Sequence, residues 1–327
     1  MKNKSFVCFA ALAALVLLPG CGLKRTATPL PEAGQSGLLR LVVEEHAVCS
    51  ASVDSPDHFE FNQRISEDVL ALREGWRVPG SATRLKTPNT LLSPFGYELR
   101  PHPDDPHYSY QVMRGNEVLV DYITHFWTAT ARADGTDFAL PVENDHGRRL
   151  LVSKSGAEPL GEVYAISTMP VYAGNDLVRT EVHGGRVVVM RGDEAIFSTR
   201  VKEDMAVSSP LKGFWPWQGG WALEVPHEVF INGQSVNQQY GFDQVFHWRL
   251  LDDEPFFFFV DHKSAGMVGM VYAGQVMSER YDEVVHYRCC EPAAFNANSN
   301  EHMVWFYALR DGTWYYVEAG LFGNSDT

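Results

Sequence analysis

The chain has 327 residues and a formal net charge of −14, because 41 acidic residues outnumber 27 Lys and Arg. An acidic surface repels phosphate backbones, so this composition disfavours nucleic-acid binding. Hydrophobic residues make up 45% and charged residues 21%, which is typical of a globular chain rather than a disordered one. The aromatic share of 12% favours β-strands, since aromatic side chains pack well on a pleated surface.

The N-terminal segment has the pattern of an export signal. Lys2 and Lys4 precede thirteen apolar residues, 6–18, a run too short to cross a bilayer, which takes roughly 20 residues. The run leads into residues 18–21 (LPGC), which resemble the bacterial lipobox. An ordinary secretory signal with a chance cysteine is the alternative interpretation. We predict that residues 1–20 are a lipoprotein signal peptide and that Cys21 carries the lipid.

Residues 21–37 are predicted to be the lipidated cysteine and a flexible tether. Residues 22–37 are rich in Pro, Gly, Thr and Ser and cannot bury enough apolar surface to fold. Gly22 rather than Asp follows the cysteine, which by resemblance to sorted lipoproteins indicates the outer membrane. We therefore expect a lipid anchor in the bacterial outer membrane, on the periplasmic face, and a folded domain over residues 38–327.

The folded part contains internal repeats. Residues 242–249 (FDQVFHWR) and 281–288 (YDEVVHYR) share an aromatic, Asp, Val, His, an aromatic and Arg at the same spacing, and 121–127 is a looser copy. Polar turn clusters and apolar hairpins follow such segments. The predicted hairpins cover residues 108–121, 138–155, 186–200, 221–233, 256–274 and 304–320. Their spacing is that of four-stranded blades, which recur at roughly 40 to 50 residues.

Residues 242–274, 281–288 and 310–320 carry a family resemblance. These segments resemble the repeats of TolB-like and WD-repeat-like bacterial β-propellers. The shared order is an aromatic-Asp-x-Val segment, a short strand, an Asp-Gly-type turn, and strands that end in Gly. The resemblance implies an all-β fold, a β-propeller of about six blades with five to seven allowed, and a habit of binding other molecules. It transfers no catalytic residues.

Two N-terminal elements complete the expected fold. Residues 56–78 depart from the β pattern, and Ser66 followed by acidic and apolar residues predicts a short capped helix that decorates the first blade. Residues 38–43 predict a strand. Pairing of that strand with the last blade would close the ring and remove free edges.

Motifs for catalysis are missing from the sequence. It contains no Gly-x-Ser-x-Gly elbow, phosphate-binding loop or His-Glu-x-x-His pair. The carboxylate pairs at 104–105 and 252–253 fall in turn clusters, where solvated Asp is the default interpretation. Residues 102–107 (HPDDPH) are rich in metal-capable side chains, but two prolines restrict their convergence, so a surface loop is favoured. We expect no catalytic residue, metal or cofactor, although whether the protein is an enzyme stays open.

The repeat places basic side chains at matching positions, His247 and Arg249 in one copy and His286 and Arg288 in the other. Each pair shares the parity of the valine at the fourth position of its copy, Val245 or Val284, which predicts that both point to one side of a strand. In inner strands, such a ring of His and Arg would bind an anion or a carboxylate-bearing peptide. The alternative is that each His satisfies a repeated hydrogen bond with the aspartate of its own copy.

Residues 213–221 (GFWPWQGGW) contain Trp215, Trp217 and Trp221 beside several glycines. A loop this aromatic could form a flat stacking platform for a sugar ring or an apolar peptide side chain. The alternative is a hydrophobic plug between two blades.

Cysteine usage fits an oxidising compartment, with Cys49, Cys289 and Cys290 in the folded part. A bond between the two adjacent cysteines would strain the backbone. A bond from Cys49 to either of them would latch the N-terminal strand to the last repeats. The adjacent pair and three free thiols remain as alternatives.

Together these features predict a binding or scaffold module for an envelope protein, peptide or glycan, held to the membrane by its N-terminal lipid. The alternative is a propeller-fold hydrolase or lyase acting on carbohydrate or cell-wall material, with the tryptophans stacking the sugar. A purely structural part of an envelope complex is the third interpretation.

Overall fold

The computed structural model describes residues 39–53, 88–160, 168–201, 210–261, 266–287 and 296–323. All of them belong to the compact unit Pro31–Thr327. The predicted signal peptide with Cys21, the tether, the predicted helix within 56–78, and Arg288, Cys289 and Cys290 lie outside the described residues. The predictions for them therefore remain predictions.

The first part of the described chain forms one large antiparallel sheet. After β1 (Leu39–Ser50), its strands are β2 (Tyr97–Pro101), β3 (Tyr110–Arg114), β4 (Glu117–Phe126), β5 (Thr130–Ala131), β6 (Phe138–Asn144), β7 (Arg149–Ser153) and β8 (Gly156–Pro159). Six of them follow the order β2-β3-β4-β6-β7-β8, and β5 pairs with β6. A short helix, α1 (Pro88–Leu92), and a 3-10 turn, Ser93–Phe95, precede this sheet.

Three four-stranded antiparallel sheets follow in chain order. The first contains β9 (Val171–Ala173), β10 (Asp176–His183), β11 (Arg186–Arg191) and β12 (Glu194–Arg200). The second contains β13 (Gly213–Trp217), β14 (Gly220–Val225), β15 (Glu228–Ile231) and β16 (Gln234–Ser235), and ends in α2 (Val236–Tyr240). The third contains β17 (Gln244–Leu251), β18 (Glu254–Val260), β19 (Val268–Tyr272) and β20 (Gln275–Tyr281). In each, sequential strands are neighbours, as in an up-and-down meander.

The last sheet joins the two ends of the described chain. Its strands are β21 (Glu283–Val284), β22 (Asn298–Ser299), β23 (Met303–Arg310) and β24 (Thr313–Gly323), together with β1. The order is β1-β24-β23-β21, with β22 also paired to β23. The β1–β24 register runs from Leu39↔Gly323 to Ser50↔Thr313. The predicted pairing of the N-terminal strand with the last sheet is confirmed, and the strand is longer than residues 38–43.

All six predicted hairpins are confirmed as antiparallel pairs: β3–β4, β6–β7, β11–β12, β14–β15, β18–β19 and β23–β24. The turn at Asp311 and Gly312 has φ of 50° and 72°, the left-handed pair that a two-residue hairpin turn requires. The first two hairpins share the large sheet because β4 pairs with β6. The six hairpins therefore fall in five sheets over the described ranges.

Two pairs of consecutive sheets share an apolar core. Val187 and Val189 of β11 cluster with Leu223 of β14, which lies in the next sheet. Phe258 of β18 likewise clusters with Phe306 of β23, and their rings meet edge to face at 4.8 Å. The fold is thus all-β, and in these two pairs of sheets each member is stabilised by burial against the other. No helix among the described residues has the length and apolar character to span a membrane.

Candidate functional site

Polar side chains from three successive sheets converge on the buried carboxylate of Glu224. We call this group the Glu224 cluster, and its members are Lys212, Glu224, His227, His247, Arg249, His286 and Tyr287. Glu224 lies on β14 and is only 1% exposed. The other members lie just before β13, in the β14–β15 turn, on β17, and just after β21. The cluster therefore depends on contacts between sheets.

A β-bulge in β17 places two members of the cluster. Phe246 pairs with Phe258 and Arg249 with Phe256, so His247 and Trp248 together oppose a single residue of β18. His247 has a φ of 53°, in the left-handed region. The prediction that His247 and Arg249 keep the parity of a regular strand is wrong here, because the extra residue breaks the alternation.

The carboxylate of Glu224 is saturated by donors. Oε1 accepts from the His247 amide at 2.7 Å and from the Tyr287 hydroxyl, and Oε2 accepts from the Trp248 amide at 3.0 Å. Arg249 Nη1 lies 3.4 Å from Oε2. Buried ionised groups are tolerated only when they are paired and hydrogen-bonded in this way. Glu224 thus fixes the bulge of β17 to the neighbouring sheet.

Two histidines of the cluster, His247 and His286, have lowered pKa values that favour the neutral imidazole. His286 stacks on the Phe246 ring at 3.7 Å, and its Nδ1 donates to the Val284 carbonyl at 2.7 Å. Burial lowers the pKa of His286 to about 4, and nearby His227 and Lys212 act in the same direction. Burial, followed by Arg249 and His286, also holds the pKa of His247 well below its usual value.

The alternative interpretation of the two repeated histidines is wrong as well. Over the described ranges, neither His247 nor His286 bonds to the aspartate of its own copy of the repeat. His286 uses the Val284 carbonyl instead. A carboxylate oxygen of Asp282 accepts from the Asp311 amide at 2.9 Å and so holds the β23–β24 turn.

Two cations accompany the single carboxylate. Lys212 Nζ lies 4.7 Å from the centre of the Tyr287 ring, and burial lowers the pKa of Lys212 while Glu224 opposes that shift. Arg249 lies with its guanidinium 4.8 Å from the centre of the Trp215 ring. Burial and the neighbouring Glu224 raise the pKa of Tyr287 well above its usual value, so the phenol keeps its proton. The cluster therefore carries a local excess of positive charge.

The tryptophan segment forms a strand hairpin rather than a loop. Trp217 and Trp221 are 8% and 6% exposed, so the prediction of an open stacking platform is wrong for both. Trp221 packs on Phe197 of the preceding sheet at 5.4 Å, and Trp217 meets Trp248 of the following sheet at 5.9 Å. These two rings fill the space between neighbouring sheets, as the plug interpretation expected.

Trp215 is half-buried beside the cluster. Its ring meets Trp248 at 5.2 Å and lies against the backbone of Gly213. A Cβ atom at Gly213 would fall 1.8 Å from the Trp215 ring, so only glycine leaves room for it. Trp215 is therefore the one ring of this hairpin that reaches towards the Glu224 cluster with part of its surface exposed.

Sequence reasoning missed Lys212, Glu224, His227 and Tyr287. Glu224 gives the clearest signal, because it is a lone acid within the otherwise apolar strand β14. Tyr287 stands in the repeat at the position that Trp248 holds in the other copy. Lys212 gives no signal, since a single Lys before a strand is usually a solvated side chain.

The acidic and histidine-rich turns have structural contacts. His102 is 3% exposed, its Nδ1 accepts from the Asp104 amide at 3.2 Å, and its Nε2 lies 3.1 Å from Asp121 Oδ1. Asp252 and Asp253 form the β17–β18 turn with φ of 52° and 66°. Over the described ranges, no three His, Cys, Asp or Glu side chains are grouped so as to hold a metal ion.

Cys49 lies on β1 at a register shift and packs against a cluster that includes Val285 and Trp314. Cys289 and Cys290 follow Val285 closely in sequence but lie outside the described residues. Pairing of Cys49 with either of them stays a prediction.

No protein-family model and no curated protein matches the chain. A solved structure of BBS1N in complex with ARL6DN, soaked with mercury, is 10% identical, with a TM-score of 0.30 over 65% of this chain and 72% of that one. The AfRom2 CNH domain is 9% identical, with a TM-score of 0.28 over 70% and 78%. The N-terminal domain of Nup159 is 11% identical, with a TM-score of 0.25 over 69% and 75%. These are β-propeller or WD-like domains, similar to this chain only at low TM-scores and low identity.

Proposed function

We propose that the chain is a lipid-anchored β-propeller of about six blades that serves as a binding or scaffold module for a protein or peptide partner. Its place would be the periplasmic face of the bacterial outer membrane. The observation that carries the binding role is the Glu224 cluster, where three sheets bring two cations and a partly exposed tryptophan to one place. The lipobox-like residues 18–21 carry the anchor.

The propeller arrangement is supported by the topology. Four-stranded meanders follow one another in chain order, two pairs of consecutive sheets share an apolar core, and the N-terminal strand completes the last sheet. Propellers use such radial repetition to leave only short, protected edges. The large sheet that contains β2 to β8 would supply more than one blade.

Binding rather than catalysis is supported by the state of the ionisable groups. Glu224 accepts four contacts, Tyr287 is held protonated, and His286 has a pKa of about 4. A general acid or base works best with a pKa near the operating pH. Glycoside hydrolysis usually takes two carboxylates across the sugar, and the Glu224 cluster contains one.

The anchor is tested by Cys21→Ala. Intact-mass analysis of the protein from the membrane fraction should show added acyl groups in the wild type and in a Cys49→Ala control. Cys21→Ala should lack these groups and leave the membrane fraction. A wild-type protein that is soluble and unmodified would contradict the anchor.

The binding role is tested by photo-crosslinking in intact cells. A photoreactive phenylalanine in place of half-buried Trp215 should give discrete adducts with an envelope component. The same side chain in place of Ile196, which is exposed on β12, serves as the matched control. Equal adducts from both positions would contradict a specific site. Release of sugar fragments from cell-wall material by the purified protein would favour the hydrolase or lyase instead.

A further inference from the structure

One edge of the Arg249 guanidinium has no partner over the described ranges. Nη1 donates to the Trp248 carbonyl at 2.6 Å and lies 3.4 Å from Glu224 Oε2, so both contacts use the same nitrogen. Nε and Nη2 remain as two parallel donors, on a side chain that is 27% exposed. Such a planar pair of N–H groups matches the two oxygens of a carboxylate.

The charge around this edge is positive. Lys212 is a second cation, beside the tyrosine whose hydroxyl donates to Glu224. Within the described part of the chain, Glu224 is the carboxylate that interacts with both Lys212 and Arg249. Its oxygens already accept from two backbone amides and from the Tyr287 hydroxyl. A local excess of positive charge in a chain of net charge −14 would attract an anion to this place in particular.

The aromatic contacts favour a peptide over a sugar. Trp217 and Trp221 are buried between sheets, and Trp215 already contacts Trp248, Arg249 and the Gly213 backbone. These contacts occupy ring faces on which a sugar would stack. Arg249 itself is held in place by Trp215 and by the Trp248 carbonyl, so its fork is pre-organised for a small planar anion.

We infer that Arg249 and Lys212 form a subsite for a side-chain or terminal carboxylate of an acidic peptide segment. The Nε–Nη2 edge of Arg249 binds the two carboxylate oxygens, and Lys212 supplies the second positive charge. The half-exposed part of Trp215 borders the subsite and contacts the peptide backbone or an apolar neighbour. This inference rests on the proposed binding function and names the chemistry of its ligand.

The test is a calorimetric titration of the full-length lipoprotein in detergent with an oligo-glutamate peptide. An oligo-glutamine peptide of equal length is the neutral comparison, and oligogalacturonate offers the same carboxylate on a sugar. We expect reversible binding of oligo-glutamate alone. Arg249→Gln and Lys212→Gln should each weaken it by about tenfold or more, as expected for loss of a contact to a charged group. Arg249→Lys should weaken it as well, because the charge stays while the fork is lost.

Arg280→Gln is the matched control. Arg280 also lies over an aromatic ring, that of Phe259, and donates to backbone carbonyls, but it belongs to β20 outside the cluster. Its affinity for oligo-glutamate should equal that of the wild type. Arg249→Gln could weaken binding by destabilising the fold, which a lower melting temperature would show. Lys212→Gln removes no hydrogen bond to Glu224, so in that case its affinity for oligo-glutamate tests the subsite.

Four results would overturn the inference. Two concern the peptides: oligo-glutamate gives no heat of binding at millimolar concentration, or oligo-glutamine binds equally well. The other two are an unchanged affinity for oligo-glutamate in Arg249→Gln and Lys212→Gln, and a preference for oligogalacturonate. The last would assign the subsite to an acidic sugar. None of these results bears on the lipid anchor, which Cys21→Ala tests separately.

Discussion

Trp217 and Trp221 each contact a neighbouring sheet on opposite sides of their own hairpin. Trp217 also donates from its indole nitrogen to the Asp253 carbonyl at 3.3 Å, so its polar atom is satisfied as well as its ring. Both rings are therefore part of the core, although the sequence of their segment is typical of an exposed aromatic loop. Their contribution is to stability, and only Trp215 borders the proposed subsite.

Trp217→Ala should therefore lower the free energy of unfolding by about 3–5 kcal/mol, the usual effect of truncating a large buried aromatic residue. Trp215→Ala should lower it by less, because its ring is only half-buried and leaves a smaller cavity. Denaturant unfolding of both variants measures the difference. Equal, small losses in the two variants would contradict the buried position of Trp217.

His286 makes the stability of the fold depend on pH. It faces Phe246, His227, Lys212 and Tyr287, and burial lowers its pKa to about 4. In the unfolded chain the imidazole of His286 binds a proton with the ordinary pKa of 6.5. In the folded state it binds a proton only at a lower pH. Stability is then full above pH 6.5 and falls as the pH drops towards 4.

The expected loss over this window is on the order of 3 kcal/mol, from the difference between the two pKa values. His286→Gln should make the dependence between pH 6.5 and 4 less steep, because glutamine does not titrate, whereas the buried His247 still contributes to it. His125→Gln, at an exposed position on β4, should retain the wild-type profile. The measurement is the free energy of unfolding of each protein between pH 6.5 and 4. If this free energy depends on pH with the same slope in the wild type and in His286→Gln, His286 does not cause the dependence.

At the scale of elements, β1 is held to the last two sheets by side chains as well as by its ladder. Glu45 accepts from two nitrogens of Arg310 on β23 and from the Tyr281 hydroxyl on β20 at 2.8 Å. Arg310 also lies over the rings of Tyr281 and Tyr315. This contact joins three chain segments and opposes fraying of the N-terminal strand.

Glu45→Gln should lower the free energy of unfolding by about 1–3 kcal/mol, as expected for losing a hydrogen-bonded charge. Burial alone would raise the pKa of Glu45, but hydrogen bonds from Arg310 and Tyr281 lower it below 4.5. Its stabilisation is therefore complete above pH 4.5 and lost as the pH falls below that value. Glu45→Gln should remove this acid-side loss when unfolding is followed from pH 6 to 3.

The exposed neighbour Glu44 provides the control for that measurement. Glu44→Gln changes the same charge on the same strand, so it should leave both the stability and its pH profile close to wild type. A Glu44→Gln protein as destabilised as Glu45→Gln would show that strand charge, and not the contact with Arg310, is responsible.

At the scale of the whole molecule, the last sheet contains both ends of the described chain. Cys49 of β1 packs against the cluster that includes Val285, just before Cys289 and Cys290 in sequence. We predict a disulfide from Cys49 to Cys289 or Cys290 in protein matured in the periplasm. Closing so long a loop would stabilise the fold by about 5 kcal/mol in the chain-entropy model.

Peptide mapping under non-reducing conditions tests this latch. A cross-linked peptide that contains Cys49 should be recovered, and Cys49→Ser should lower the melting temperature under oxidising but not reducing conditions. Recovery of Cys49 as an unmodified thiol from periplasmic protein would falsify the latch.

Local chemistry determined the parts of this protein that the sequence predicts well. The Asp311-Gly312 pair takes the left-handed turn that only a few residues accept, and aromatic and β-branched residues on both sides commit their segments to strands. The six hairpins follow from such short-range signals. The aspartates at the second position of the two repeats also have a common backbone contact, because the amides of Asp243 and Asp282 both donate to strand carbonyls, those of Val260 and Leu309.

The tertiary structure alone decided which side chains meet. The bulge at His247 and Trp248 exists because a carboxylate from another sheet, Glu224, accepts both of their amides. No pattern within β17 records that partner, so a rule of strict alternation misplaces Arg249. The same holds for Trp217 and Lys212, whose burial and charge environment come from residues distant in sequence. Strand propensity and turn geometry act between near neighbours in the chain, whereas burial and electrostatic pairing depend on contacts that form only when the sheets pack.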